Sequence, residues 1–333
     1  MSLRILLMGT GEFAVPPFRA IIDSKHSVVG VVTQPDRTGR GHHRHVNVVK
    51  ELAEPFGIPV FQPQRASSAE SLAELRALQA DVFIVAAYGQ ILKRELLAIP
   101  RLGCFNLHGS LLPRHRGAAP VQYSIWKGDE QTGVTIFRIE PALDSGPVLG
   151  RVVTGIGAEE TSGELMLRLA DLSAPLVLDV LDQLESGTAV EEVQDVSLVT
   201  LAPKIQKTDG MVRWEQTPYE IDCHVRAMQP WPRAVTLLVR PELSQAQSAR
   251  TENSDLRCLI HQVRSVTELG VPEDRSLKPG RILLHQNRLF VATGQGLIEV
   301  VRIQAEGRKV LSGTDFMNGN PLPPGSCFES RDS

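Results

Sequence analysis

Between Leu3 and Gly109 short apolar runs alternate with helix-like segments, five strands in all. Leu3 to Met8, Val28 to Val32, Val60-Phe61, Asp81 to Ala87 and the run that ends at His108 read as strands. Glu12 to Asp23, Val46 to Phe56 and Ala69 to Leu78 read as helices between them. Such alternation predicts a doubly wound, mostly parallel sheet. Asp81 to Ala87 is apolar almost without a break, as a strand covered on both faces requires. At 333 residues the chain is long enough for a second core.

The fifth run opens the most chemically loaded stretch, Cys104 to Pro120. Asn106 and His108 stand two apart, so on a strand they share a face. Ligands of open α/β sheets bind beyond the carboxyl ends of strands. An amide and an imidazole there suit a carbonyl oxygen on its way to an oxyanion. Ser110-Leu111-Leu112-Pro113 follows as a loop, then a helix over 117–127. The strand Gly133 to Glu140 leads into the turn-rich Leu143-Asp144-Ser145-Gly146. By itself each of these also reads as plain structure: a strand-end polar pair, a turn aspartate.

Together they resemble the signature of the folate-dependent formyltransferases: Asn106-X-His108, the loop Ser110-Leu111-Leu112-Pro113, and Asp144. The likeness runs from near the N-terminus to about Gly319 and is strongest to the branch acting on methionyl-tRNA. It implies a catalytic domain over 1–187, a linker over 188–203, an OB-like β-barrel that binds tRNA over 204–319, and a disordered tail over 320–333. It implies transfer of a formyl group from 10-formyltetrahydrofolate, a cosubstrate, to the α-amine of methionyl-tRNA, with no metal and no nucleotide cofactor. Asn106, His108 and Asp144 are the catalytic residues it implies. Ser110, Leu111, Leu112 and Pro113, with Ile91 and Leu92 after the fourth strand, are the folate-binding ones; Ile91 and Leu92 read equally well as core. The likeness places a basic loop, with Arg37, Arg40 and Arg44, against the tRNA acceptor stem. Lys204 and Lys207 are the barrel residues expected to supply charge to tRNA, and each also reads as a solvated surface group. The loop carries His42, His43 and Arg44 where relatives usually carry Lys-Lys-Leu, and His115 stands where they often carry Trp; His115 is given no role.

The C-terminal half agrees with a barrel on its own signs. Ala234 to Val239, Leu256 to Val263, Arg281 to Leu284, Arg288 to Ala292 and Leu297 to Ile303 are short strands with Gly or Asn turns between several of them. Pro241 to Ser254 is polar and reads as a loop.

Competing readings meet specific objections. Gly9-Thr10-Gly11 with Ala14 fits a dinucleotide-binding turn, but Thr33 and Gln34 follow the second strand where a ribose-binding acid belongs. The turn still offers backbone N–H groups to an anion. His42, His43 and His45 lack an obvious fourth partner for a metal. A formyltransferase of sugar nucleotides would share the catalytic trio, but not the basic loop or the Ala202-Pro203-Lys204-Ile205 and Pro230-Trp231-Pro232 elements. A net charge of −3 excludes a global basic field, so tRNA contact must be local. Four separated cysteines without a Cys-X-X-Cys pair, and no apolar run of about 18 residues, point to a reducing cytoplasm and no membrane span. No apolar stripe stands out as an interface, so a monomer is expected.

Overall fold

The computed structural model describes residues 2–36, 47–240, 255–266 and 277–331. The basic loop with Arg37, Arg40, Arg44 and its histidines lies outside the described residues, as does the polar stretch 241–254. The described chain forms two compact units.

The first unit holds Met1–Val121, Glu130–Ile156 and Glu164–Pro203. Its sheet runs β3 (Val60–Phe61), β2 (Ser27–Val32), β1 (Arg4–Gly9), β4 (Val82–Ala86), β5 (Cys104–His108), β7 (Gln131–Arg138), β8 (Val148–Gly155). β1 to β5 are mutually parallel, while β7 and β8 are antiparallel additions. Every residue of β4 is buried, the outcome expected of an unbroken Val-Phe-Ile-Val-Ala run. Each of its four larger side chains contributes about 1.5–3 kcal/mol of apolar burial.

Helices α1 (Val15–Ile22), α2 (Val48–Ala53) and α3 (Ala69–Ala77) fill the crossovers. Asn47 and Ser68 cap α2 and α3 by accepting the backbone N–H of Lys50 and Ser71. A cleft of about 570 Å³ opens beyond the ends of β1, β2 and β4, lined in part by Thr10, Gly11, Gln34, Asn47 and Tyr88.

The segment after helix α6 (Ser162–Ser186) corrects one expectation. Residues 188–203 do not behave as a linker; they are strapped across the first unit. Glu192 and Val148 exchange backbone hydrogen bonds at 2.8 Å each. Arg151 grips the Glu192 carboxylate at 2.7 and 3.0 Å, and Arg138 pairs with Glu191. The strap then pairs β9 (Leu201–Ala202) in parallel with β6 (Arg116–Gly117). Its backbone donors and acceptors find partners there, which a solvated linker would leave to water.

The second unit holds Lys204–Ser333 with the excursions Gln122–Asp129 and Gly157–Gly163. Its antiparallel sheet runs β12 (Ile282–His285), β13 (Arg288–Ala292), β14 (Leu297–Ala305), β11 (Leu256–Ser265), β10 (Ala234–Val239), β16 (Cys327–Glu329), with β15 (Val310–Ser312) on β14. A bridge between Arg281 and Cys327 nearly closes the barrel. Helix α7 (Pro218–Ala227) carries a capping box of Thr217 and Glu220, and helix α8 (Gly313–Gly319) follows β15. Trp214 lies at the centre, stacked on Phe328 at 5.6 Å and donating from Nε1 to Thr236.

That stack corrects the expected disordered tail. Phe328 is 2% exposed, and its strand pairs with β10 at Leu238. Burying one aromatic residue and adding a ladder outweighs the Pro-rich composition around it. The four cysteines are free thiols. Among the described residues no helix is long and apolar enough to cross a membrane.

Candidate active site

β5 carries Asn106 and His108 at its carboxyl end. In the parallel register Val85 stands beside Asn106 and Ala86 beside Leu107, so His108 projects past the end of β4. On its other side β5 meets antiparallel β7, with His108 opposite Thr135. The change from parallel to antiparallel pairing occurs at the strand that bears both polar residues.

The His108 ring is 4% exposed and meets Phe137 edge-on at 6.2 Å. Its Nε2 is 2.9 Å from the backbone carbonyl of His115. A carbonyl can only accept, so Nε2 carries a proton. Nδ1 is the remaining nitrogen, and it lies 3.7 Å from Asp144 Oδ2. In the neutral ring Nδ1 is therefore a lone pair; it becomes a donor only after gaining a proton. Burial pushes the His108 pKa below its ordinary value, against the pull of the Asp144 carboxylate and the His115 carbonyl.

Asp144 sits in a left-handed backbone conformation, φ 45°, which Asp tolerates better than most residues. Its Oδ2 accepts the backbone N–H of Gly117 at 2.8 Å. Gly117 has φ 131°, and a Cβ there would come 2.4 Å from the Ala202 carbonyl oxygen. Only glycine lets β6 and β9 approach so closely while aiming an N–H at the carboxylate. The Asn106 amide makes no side-chain hydrogen bond among the described residues, and its side chain is partly exposed. Asn106 is thus a donor held ready on a rigid strand.

The loop after β5 folds on itself. Ser110 Oγ donates to the Arg114 carbonyl at 2.7 Å. Thr135 Oγ1 donates to the Ser110 carbonyl and accepts the Leu112 N–H. Ser110 is fully buried, and Leu112, 3% exposed, packs with Phe137 and Val148. The Ser110 hydroxyl and the Leu112 side chain are thus engaged within the loop and its packing. Leu111 and Pro113 are partly exposed. Ile91 is 91% exposed, whereas Leu92 packs against the core around β4. Lys204 and Lys207 are exposed on the second unit. Arg116 is engaged, donating to Gln194 Oε1 at 3.1 and 2.7 Å.

The residues missed from sequence act through their backbones or from far along the chain. His115 serves through its carbonyl, Gly117 through its N–H, and Thr135 through a hydroxyl on the next strand. Only Gly117, a glycine just before a helix start, left a sequence mark.

A buried imidazole with a directed lone pair, a carboxylate beside it and an amide on the same strand have the chemistry that acyl transfer would call on. Residues 1–181 match the model of the formyl transferase family, and residues 204–321 that of its C-terminal domain. The chain belongs to the formyl transferase family. It is 41% identical over 321 residues to the methionyl-tRNA formyltransferase of Methylococcus capsulatus, covering 96% of this chain and 98% of that one. It is 39% identical over 326 residues to the enzyme of the same name from Geobacter metallireducens, covering 97% and 98%. Its fold is also that of WlaRD, a sugar 3N-formyl transferase solved with dTDP and 5-N-formyl-THF: TM-score 0.63, 16% identity, 93% of this chain and all of that one. The first unit is therefore a formyltransferase-type α/β domain, and the second an OB-like barrel.

Proposed function

We propose that this chain formylates the α-amino group of methionyl-tRNA, drawing the formyl group from 10-formyltetrahydrofolate, and so supplies formylmethionyl-tRNA for translation initiation. The observation that carries this is near-complete alignment with two methionyl-tRNA formyltransferases at about 40% identity. The Asn106, His108 and Asp144 constellation supports it chemically. A sugar nucleotide is the rival acceptor, and the likeness favouring it is one of fold alone, at 16% identity.

In the reaction the amine nitrogen bonds to the formyl carbon, and the bond from that carbon to the folate nitrogen breaks. Negative charge gathers on the formyl oxygen in between. Asn106 donates an N–H to that oxygen. A free α-amine has a pKa of about 7.7–8.0, so much of it is already neutral near pH 7.5. Attack makes it cationic, and one proton must travel to the departing folate nitrogen. His108 begins neutral, takes that proton on Nδ1, and as an imidazolium hydrogen-bonds the oxyanion from Nδ1 without giving the proton up to it. As the bond from the formyl carbon to folate breaks, the proton leaves Nδ1 by way of Asp144 and water and ends on the departing folate nitrogen, with Asp144 stabilising the imidazolium until then. No metal is required.

Ile91, Leu111 and Pro113 offer partly or fully exposed apolar surface for the pterin, and Leu92 supports Ile91 from the core. Arg37, Arg40 and Arg44 supply charge for the acceptor stem, with Lys204 and Lys207 on the barrel. The protein works as a monomer in the cytoplasm. Mixing it with 10-formyltetrahydrofolate and methionyl-tRNA, with free methionine and an amino-sugar nucleotide as parallel acceptors, tests the reading. Formylation of methionyl-tRNA alone is expected. Formylation of the sugar nucleotide alone would overturn the acceptor.

A further inference from the structure

We infer that Thr200 and Gln194, on the strap between the family's two recognised domains, are positioning residues for the His108–Asp144 pair. The inference rests on the reading above for its kinetic consequence, but its geometry stands alone.

Thr200 Oγ1 accepts the backbone N–H of His115 at 2.8 Å, and lies 3.4 Å from that residue's Nδ1. The Thr200 carbonyl accepts the N–H of Arg116 at 2.9 Å. His115 has φ 60°, a left-handed conformation that a β-carbon residue rarely keeps unless held. Thr200 holds it. The held peptide points the His115 carbonyl at His108 Nε2, and that contact places the proton of the neutral ring on Nε2 and leaves Nδ1 facing Asp144. Without Thr200 a buried N–H loses its acceptor and the turn must relax. The His108 proton then has a second place to go, onto Nδ1 beside the Asp144 carboxylate.

Gln194 does the same for the carboxylate. It is 4% exposed. Its Nε2 donates to the carbonyls of Asp144 at 2.9 Å and Gly146 at 2.8 Å, while Arg116 fills its Oε1. One amide therefore ties the left-handed turn at Asp144 to the same strap that holds His115. The strap is itself fixed through Glu191, Glu192 and the β6–β9 pairing. Neither residue touches the reacting atoms; both act through His108 and Asp144.

Three variants test this: Thr200→Val, which keeps shape and removes the hydroxyl; Thr200→Ser, which restores it; and Gln194→Glu, which keeps the acceptor for Arg116 and removes the donor. Thr200→Val and Gln194→Glu are expected to lower kcat by about 10- to 100-fold, in the range that sub-ångström to ångström misplacement produces, with KM for both substrates within about twofold. Thr200→Ser is expected to recover most of the rate. Nitrogen-15 NMR of the imidazoles, on free protein, is expected to find neutral His108 protonated on Nε2 in the wild type and a mixture of tautomers in Thr200→Val. Wild-type kcat in Thr200→Val, or a Thr200→Ser variant as slow as Thr200→Val, overturns the role of Thr200; wild-type kcat in Gln194→Glu overturns that of Gln194. An Nδ1-protonated wild-type ring overturns the whole proposal, whether or not the variants fold. Failure of the wild type to formylate methionyl-tRNA strikes the function instead, and leaves the tautomer result to decide this point.

Discussion

The backbone N–H of Gly117 donates to Asp144 Oδ2 at 2.8 Å, from a φ of 131° that forbids a side chain. The same oxygen lies 3.7 Å from His108 Nδ1. The carboxylate is therefore anchored by a rigid donor on one side and faces the imidazole on the other. At 3.7 Å the pair is too far apart for a direct hydrogen bond, and in the neutral ring both atoms are acceptors, so Nδ1 meets the carboxylate only once it has gained a proton.

Replacing Asn106 by Ala removes the side-chain amide donor that β5 carries. Turnover is expected to fall about 100- to 1,000-fold, with the melting temperature unchanged. Asp144→Asn keeps an acceptor for Gly117 but removes the charge, and is expected to cost well over tenfold. Steady-state kinetics beside a thermal melt checks both; near-normal turnover in either variant removes that residue from the chemistry.

Burial holds His26, His108, His224 and His261 below the ordinary imidazole pKa of 6.5. The unfolded chain thus binds more protons than the folded one in the window just below 6.5. Stability is fully present above that value and is lost as pH falls through it toward the folded-state values. Denaturant melts between pH 7.5 and 5 are expected to record that loss. His224 is buried, donates from Nε2 to the Asp209 carbonyl and packs 5.5 Å from Trp126. His224→Gln retains a donor without a proton to gain, so it is expected to flatten the slope; an unchanged slope assigns the effect to the other three.

Ile91 is 91% exposed, so it contributes almost nothing to folding. Ile91→Ser is expected to leave the melting temperature within experimental error and to raise KM for the formyl donor several-fold. An unchanged KM would take Ile91 out of the pterin wall.

Phe328 fills the barrel against Trp214 from a strand only three residues long. Phe328→Ala is expected to cost about 3–5 kcal/mol, the usual range for a large buried aromatic. A cost below about 1 kcal/mol, read from urea denaturation, would mean that the tail adds nothing to the core.

The parts legible in sequence are those whose signal is local. The Val82 to Ala86 run announces a two-sided strand, and the Asn106 and His108 spacing announces a shared face. The strap and the last strand were not legible, because their stabilising partners are distant. Gln194 finds Asp144 across 50 residues, Thr200 finds His115 across 85, and Leu238 finds Phe328 across 90. A Pro-rich tail and a polar connector look alike in composition whether or not a sheet edge awaits them. His115 illustrates a second limit. A carbonyl is the same on every residue, so its role leaves no mark on residue identity.

The strap also sets a schedule. The seven strands of the first sheet are all synthesised by Gly155, but the group that pins the His115 turn leaves the ribosome only with Thr200, after the 25 residues of α6. A nascent chain can thus own a complete sheet, with Asn106, His108 and Asp144 all made, and still lack the contacts that fix which way the imidazole faces. On that inference the full rate becomes available later in biogenesis than the sheet that bears it.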